Sequence, residues 1–328
     1  MRISVLFCAG ACLALASVLS AQQALAPGGT EQTSALDIET IRVEVNLVNV
    51  YLSVHDKQGN SIDDLHKEDC SILEDKVPQT IRYFTQEKTM PLTVGLLLDT
   101  SGSQKNVLHA EQLAAMIFLK DVLTPKDESF LMAFDLGITQ LTDHTNSRIE
   151  IARALGRART NVGGDCTDPK HFCGTLLNDA VYQAAHEKLL HRTGRKVIIL
   201  LTDGGDYGSQ KTLDEAIRAA QRSDAIVYVI LLDNWSFMPN ANARFSKMTR
   251  LAQETGGRVI DVDIDSKINT RLQKAFALIQ IELRKQYLAS YTPANTKRDG
   301  TYRQLSISCG KRNKVQARAG YYAAGLAE

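Results

Sequence analysis

Residues 92–103 read LTVGLLLDTSGS, and the change of character at Asp99 decides the fold. Residues 92–98 are apolar apart from one Thr and one Gly, the composition of a strand buried on both faces of a parallel sheet. The run stops at Asp99. Beyond the turn Thr100-Ser101-Gly102-Ser103, residues Ala110, Leu113, Ala114, Ile117 and Phe118 recur at i, i+3, i+4, i+7 and i+8, which predicts a helix with those side chains on its buried face. One carboxylate and two hydroxyls, Asp99, Ser101 and Ser103, thus alternate along a turn at the carboxyl end of a strand. That all-oxygen surface suits a hard divalent cation such as Mg2+. A DxSxS string alone is weak, because a strand-to-helix turn capped by Ser103 needs the same residues.

The surrounding chain repeats the strand-helix alternation. Residues 129–134, 197–201, 225–232 and 258–262 are further strand candidates. Leu177, Ala180, Val181 and Ala184 mark one helix, and Leu213, Ala216, Ile217 and Ala220 mark another, opened by a Thr212 and Glu215 capping box. Ser147 and Glu150 open a third, and Ile268, Leu272, Phe276, Ile279 and Leu283 line the last. The expected fold class is α/β, a doubly wound, mostly parallel sheet. Two more oxygen donors fall where such a sheet gathers its ligand loops. Thr175 follows Cys173-Gly174 at a helix start, and Asp203 follows the strand KVIILL directly in Leu201-Thr202-Asp203-Gly204.

This combination closely resembles the metal-ion-dependent adhesion site of the von Willebrand factor type A domain family, over about residues 90–285. The resemblance implies that Ser101, Ser103 and Thr175 contact a cation while Asp99 and Asp203 hold its waters. One position is left for an Asp or Glu of a protein partner. Neutral hydroxyls leave the ion electrophilic toward such a carboxylate. Mg2+ is the expected cation, with Mn2+ or Ca2+ as substitutes. The loop 163–173 departs from the family pattern by carrying Cys166 and Cys173 just before Thr175, so Thr160 and Thr167 stand as fallback ligands. The mature chain also resembles, more loosely, a bacterial group of secreted proteins with a related domain. That match rests on the strand segment 43–84 and on the closing strings YLASYTP and VQARAGYY.

The flanks supply the setting. Residues 1–21 have one Arg, an apolar stretch and small residues at Ser20 and Ala21, the layout of a cleaved secretory signal peptide; an uncleaved anchor is the alternative. Residues 22–40 read as a flexible linker. Residues 41–88 form an N-terminal strand segment in which Val48, Val50, Leu52 and Val54 alternate after a bulge, with turns at 57–60 and 74–76. Residues 89–286 make up the α/β part. Residues 287–323 return to strands, at 287–291, 302–308 and 314–321, and are expected to pack with 41–88 as a small β-sandwich, since neither set can bury its apolar face alone. Of six cysteines, Cys8 and Cys12 lie in the leader. The remaining four suggest two disulfides in an oxidising, periplasmic or extracellular setting, Cys166–Cys173 and Cys70–Cys309 among three open pairings.

A formal net charge of +1 over 328 residues gives no global signature for nucleic acid, and no segment of the mature chain is long and apolar enough to span a membrane. Cys166, His171 and Cys173 offer only three local zinc ligands. His186 and His191 do not share a helix face, and Asp261, Asp263 and Asp265 lack the Gly and Glu of a calcium loop. Trp235 and Phe237, in NWSFMPN, fall on the expected metal-bearing rim. No Ser, His, Asp order and no general base beyond the two aspartates is apparent. The leading expectation is therefore a metal-dependent protein-binding module and not an enzyme. A structural envelope scaffold and a metal-dependent hydrolase are the alternatives.

Overall fold

Six strands make the central sheet, in the order β10-β9-β8-β5-β6-β7. A computed structural model of the chain describes residues 47–87, 90–160, 174–233, 240–311 and 313–323, all within the unit Val45–Glu328. The leader, the linker, Cys166, Thr167, His171, Cys173, Trp235 and Phe237 lie outside the described residues.

The strands of the central sheet are β5 (Leu92–Asp99), β6 (Glu128–Phe134), β7 (Ile138–Thr145), β8 (Arg195–Thr202), β9 (Ala225–Asp233) and β10 (Val259–Asp263). All pair in parallel except β6 with β7. Every residue of β5 and β8 is buried, which explains why these strands are apolar without alternation. Helices α1 (Leu108–Val122), α2 (Arg148–Leu155) and α6 (Ile268–Lys285) share one apolar core with one face of the sheet. Helices α3 (Leu177–Gln183), α4 (Leu213–Arg222) and α5 (Ala241–Thr255) share another with the opposite face. The expected α/β doubly wound sheet is thus present.

Sequence periodicity and structure part company in α1. The helix is where the pattern puts it, yet Leu113 and Ile117 are 41% and 40% exposed, and the buried arc runs instead through Glu111, Ala114, Ala115, Phe118 and Val122. Alanines at both 114 and 115 make two adjacent arcs nearly equal in apolar content, and the chain buries the one that includes a carboxyl. The antiparallel edge strand β7 and helix α5 were not anticipated, because β7 has exposed polar residues along much of its length and α5 begins just past the Trp235 loop.

The flanking strands form two more sheets. One has the order β13-β1-β11-β4, from β13 (Lys314–Ala317), β1 (Val48–His55), β11 (Tyr287–Tyr291) and β4 (Ile81–Gln86). The other has the order β14-β12-β2-β3, from β14 (Gly320–Tyr322), β12 (Tyr302–Cys309), β2 (Cys70–Glu74) and β3 (Val77–Gln79). Val50, Leu52, Ile72, Tyr291 and Leu305 belong to one core shared by both sheets, so the N- and C-terminal strands do make a β-sandwich. Asp75 and Lys76 both have positive φ, as a two-residue hairpin turn between β2 and β3 requires. The buried Glu74 carboxylate accepts hydrogen bonds from Tyr291 and Tyr321 at 2.6 and 2.8 Å. The disulfide Cys70–Cys309 joins directly opposed residues of β2 and β12. The single closing strand expected over 314–321 is instead two, because the chain leaves one sheet after Ala317 and joins the other at Gly320.

Candidate metal centre

Strand β5 lies between β8 and β6, and the connections leaving β5 and β8 go to opposite faces, to α1 and α4 respectively. This divergence opens a crevice at the carboxyl ends of β5 and β8, the switch point where open α/β sheets bind ligands. Asp99 and Asp203 sit at its two sides.

Asp99 is fully buried. Its Oδ1 accepts the Ser101 N–H at 3.0 Å, and its Oδ2 accepts the Thr202 hydroxyl at 2.7 Å. The Ser101 and Ser103 hydroxyls lie 3.0 Å apart, with Ser103 exposed. Thr100 points away, its hydroxyl 3.0 Å from Asp135 Oδ2. The alternation in the sequence therefore becomes a physical separation, with Asp99, Ser101 and Ser103 linked by hydrogen bonds and Thr100 structural.

The third loop closes on the first. The Thr202 hydroxyl also accepts the Gly204 N–H at 3.0 Å, and Asp203 Oδ1 accepts the Gly205 N–H at 2.8 Å. Arg244 of α5 reaches Asp203, Nη1 to Oδ1 at 3.2 Å, and its Nη2 donates to the Tyr207 hydroxyl at 2.8 Å. The two glycines make this reach feasible. Gly204 has φ +78° and would place a Cβ 3.2 Å from that of Arg244, while a Cβ on Gly205 would stand 3.0 Å from Asp203 Oδ1. Thr175, 6% exposed, exchanges two backbone hydrogen bonds of 2.9 Å with Tyr207, so the second loop is docked on the third. Asp206 completes the docking by accepting the Asn178 N–H and Nδ2 at 3.1 and 2.9 Å. The structure thus joins Asp99, Ser101 and Ser103 by direct hydrogen bonds. Asp203 is tied to them through its neighbour Thr202, and Thr175 through its pairing with Tyr207. Thr160 follows α2 at the end of a described stretch.

Burial pushes the Asp99 carboxyl up to about 7; the Ser101 and Thr202 hydrogen bonds pull it down, and the charge of Asp203 adds to the rise. Glu111, on the buried arc of α1, is held well above the usual carboxyl range by burial and by Asp99, and neither of its oxygens has a hydrogen-bond partner. Acidic charge therefore converges on a site whose one cation in these contacts, Arg244, pairs with Asp203. Neutral hydroxyls and buried carboxylates fit a hard divalent cation. Among the described residues no group of three or more His, Cys, Asp and Glu is placed to hold a metal. Sequence reasoning missed Thr202, Arg244 and Glu111. The first stood next to Asp203 and the last as an acid inside an apolar period, whereas Arg244 gave no signal.

No family model matches the chain. Human inter-alpha-trypsin inhibitor heavy chain H4 is 25% identical over 202 residues, which cover 59% of this chain and 21% of that protein. The chain thus spans about a fifth of the length of that relative. Among solved structures, the von Willebrand factor domain of the type V pili tip protein Mfa5 from Porphyromonas gingivalis is 13% identical with a TM-score of 0.46, covering 60% of this chain and 96% of that one. Proximal thread matrix protein 1 of the mussel byssus, in a form with a zinc-occupied MIDAS motif, is 13% identical with a TM-score of 0.46, covering 61% and 50%. The α/β part is a doubly wound, mostly parallel six-stranded sheet, the fold class expected from the sequence. In this sheet the candidate ligands come from three loops: Asp99, Ser101 and Ser103 after β5, Thr175 before α3, and Asp203 after β8. The antiparallel sandwich is built from strands on both sides of the α/β part in sequence.

Proposed function

We propose that the chain is a divalent-cation-dependent protein-binding module, in which Ser101, Ser103 and Thr175 hold the cation directly and Asp99 and Asp203 hold its waters. The observation that carries this reading is the fully buried Asp99 beside paired hydroxyls and the charge of Asp203, with no cation of its own among the described residues. When bound, the cation, Mg2+ with Mn2+ or Ca2+ as substitutes, supplies an electrophilic position for a carboxylate of a protein partner. The chain's own residues do the rest. Thr202 and the Ser101 N–H fix the Asp99 carboxylate, and Tyr207, 57% exposed, stands at the rim where a partner would be read.

Binding without turnover is the reading favoured, because the hydrogen-bonded groups at the site include no base other than the aspartates. Export fits the Cys70–Cys309 disulfide, and among the described residues no helix is long and apolar enough to cross a membrane. The test is capture of envelope proteins by the immobilised chain with Mg2+ and with excess chelator. The reading expects partners that bind only with Mg2+ and are lost with Asp99→Ala. Capture undiminished by chelator contradicts it.

A further inference from the structure

On the sandwich side of the molecule, where the end of β1 and strand β13 meet the α5–β10 connection, there is a cleft of about 500 Å3. That volume is in the range of small-molecule sites. Its walls are strongly asymmetric in charge. Lys57 comes from the turn after β1, Lys314 from β13, and Arg258 from the entry to β10. Both lysines are exposed, and neither has an ion-pair partner among the described residues. The one acid in the lining, Asp56, keeps its charge but has both oxygens turned to the Asn60 N–H and Nδ2 at 2.8 and 2.9 Å, closing its own turn, and three cations outnumber it.

The inner wall is built rather than incidental. His55 lies in the lining with only 8% exposure, and its Nε2 faces the buried Glu282 carboxylate at 3.9 Å without a hydrogen bond. Arg258 is anchored through Nη2 to the buried Glu282 at 2.6 Å, which fixes the guanidinium while its side chain remains 35% exposed. Gln316 is tied to the same carboxylate at 3.2 Å. The remaining polar lining consists of carboxamides, Gln58 and Gln253 among them, which can both donate and accept. Among the described residues the lining has no aromatic ring other than the His55 imidazole, so nothing offers a stacking surface to a nucleobase or a sugar face.

We propose that this cleft is a binding site for a small, polar, multiply charged oxyanion of the di- or tricarboxylate class, held by Lys57, Lys314 and Arg258 and oriented by the carboxamides. Charge-assisted hydrogen bonds from flexible lysines and a fixed guanidinium are the donors that such a ligand takes. The site is separate from the metal centre and does not depend on it.

The test titrates the full chain, freed of metal over a chelating resin, by calorimetry with citrate, succinate, inorganic phosphate and the neutral control glycerol, at fixed ionic strength in metal-free buffer. The expected result is binding of citrate or succinate at sub-millimolar concentration and none of glycerol. Lys57→Ala/Lys314→Ala should weaken the carboxylate by at least about tenfold, with the unliganded melting temperature unchanged. The remote, exposed pair Lys120→Ala/Lys274→Ala should leave it unaltered. Failure of both carboxylates to bind below about 1 mM, equal weakening by both lysine pairs, or unchanged affinity in the Lys57/Lys314 variant would overturn the site. Tighter binding of phosphate than of either carboxylate would overturn the ligand class. Because divalent cations are absent throughout, none of these outcomes bears on the cation-dependent reading of Asp99.

Discussion

Asp99→Asn separates the charge of this residue from its shape. In the metal-free protein the folded-state carboxyl titrates near 7, against 3.8 for an unperturbed one. That difference corresponds to about 4 kcal/mol. Below pH ~4 folded and unfolded chains both hold the proton, and the group adds no pH dependence. Between pH ~4 and ~7 the unfolded chain releases a proton that the folded chain keeps, so stability falls by about 1.4 kcal/mol per pH unit. Above pH ~7 both are ionised and the full penalty of about 4 kcal/mol remains. Asparagine has no such penalty, but it forfeits the acceptor for the Thr202 hydroxyl, at about 1 kcal/mol. In EDTA the variant should therefore be more stable than the parent by about 3 kcal/mol at pH 8 and less stable by about 1 kcal/mol at pH 4. Urea unfolding followed by circular dichroism at the two pH values measures both differences. Added Mg2+ should stabilise the parent at pH 8 and the variant little. A parent–variant difference that is the same at pH 4 and pH 8 would refute the assignment of a buried, cation-seeking charge to Asp99.

Arg244→Met removes a positive charge 3.2 Å from Asp203, and cation affinity measured by calorimetry should rise by at least about threefold; a fall would mean that Arg244 supports the site instead of competing for it. The Cys70→Ser/Cys309→Ser double variant opens a link across 239 residues and should lose up to about 5 kcal/mol in urea unfolding, with strand content retained. Glu111→Met replaces a fully buried carboxyl without hydrogen-bond partners by an apolar side chain of similar length, so the melting midpoint should correspond to a gain of about 1–3 kcal/mol.

The α/β part was legible because its central strands are buried on both faces. The run KVIILL, short, β-branched and followed at once by Thr202-Asp203-Gly204, favours a buried strand, and the capping box at Thr212 and Glu215 is present in full. The sandwich was legible because Val48, Val50, Leu52 and Val54 need a partner face, and the only other strand-rich segment is C-terminal. Edge strand β7 was not legible, since a half-exposed strand with Gln140, Asp143 and His144 carries no apolar alternation. The inward face of α1 was misjudged for a physical reason: hydrophobicity cannot foresee that a buried carboxyl belongs beneath a charged site. Within that site, the alternation of Asp99, Ser101 and Ser103 was readable from the sequence. The support from Thr202 and the cross-loop ion pair of Arg244 arise only when three loops meet.

The central claim is that hydroxyls after β5 hold a divalent cation, and Mn2+ binding to the full chain tests it most directly. Titration followed by electron paramagnetic resonance should find a site in the parent chain that Mg2+ displaces. Ser101→Ala/Ser103→Ala, which removes hydroxyls 3.0 Å apart while leaving every carboxylate in place, should weaken Mn2+ by at least about tenfold. Mn2+ binding of undiminished affinity in that variant, or no displaceable site in the parent, would contradict the account.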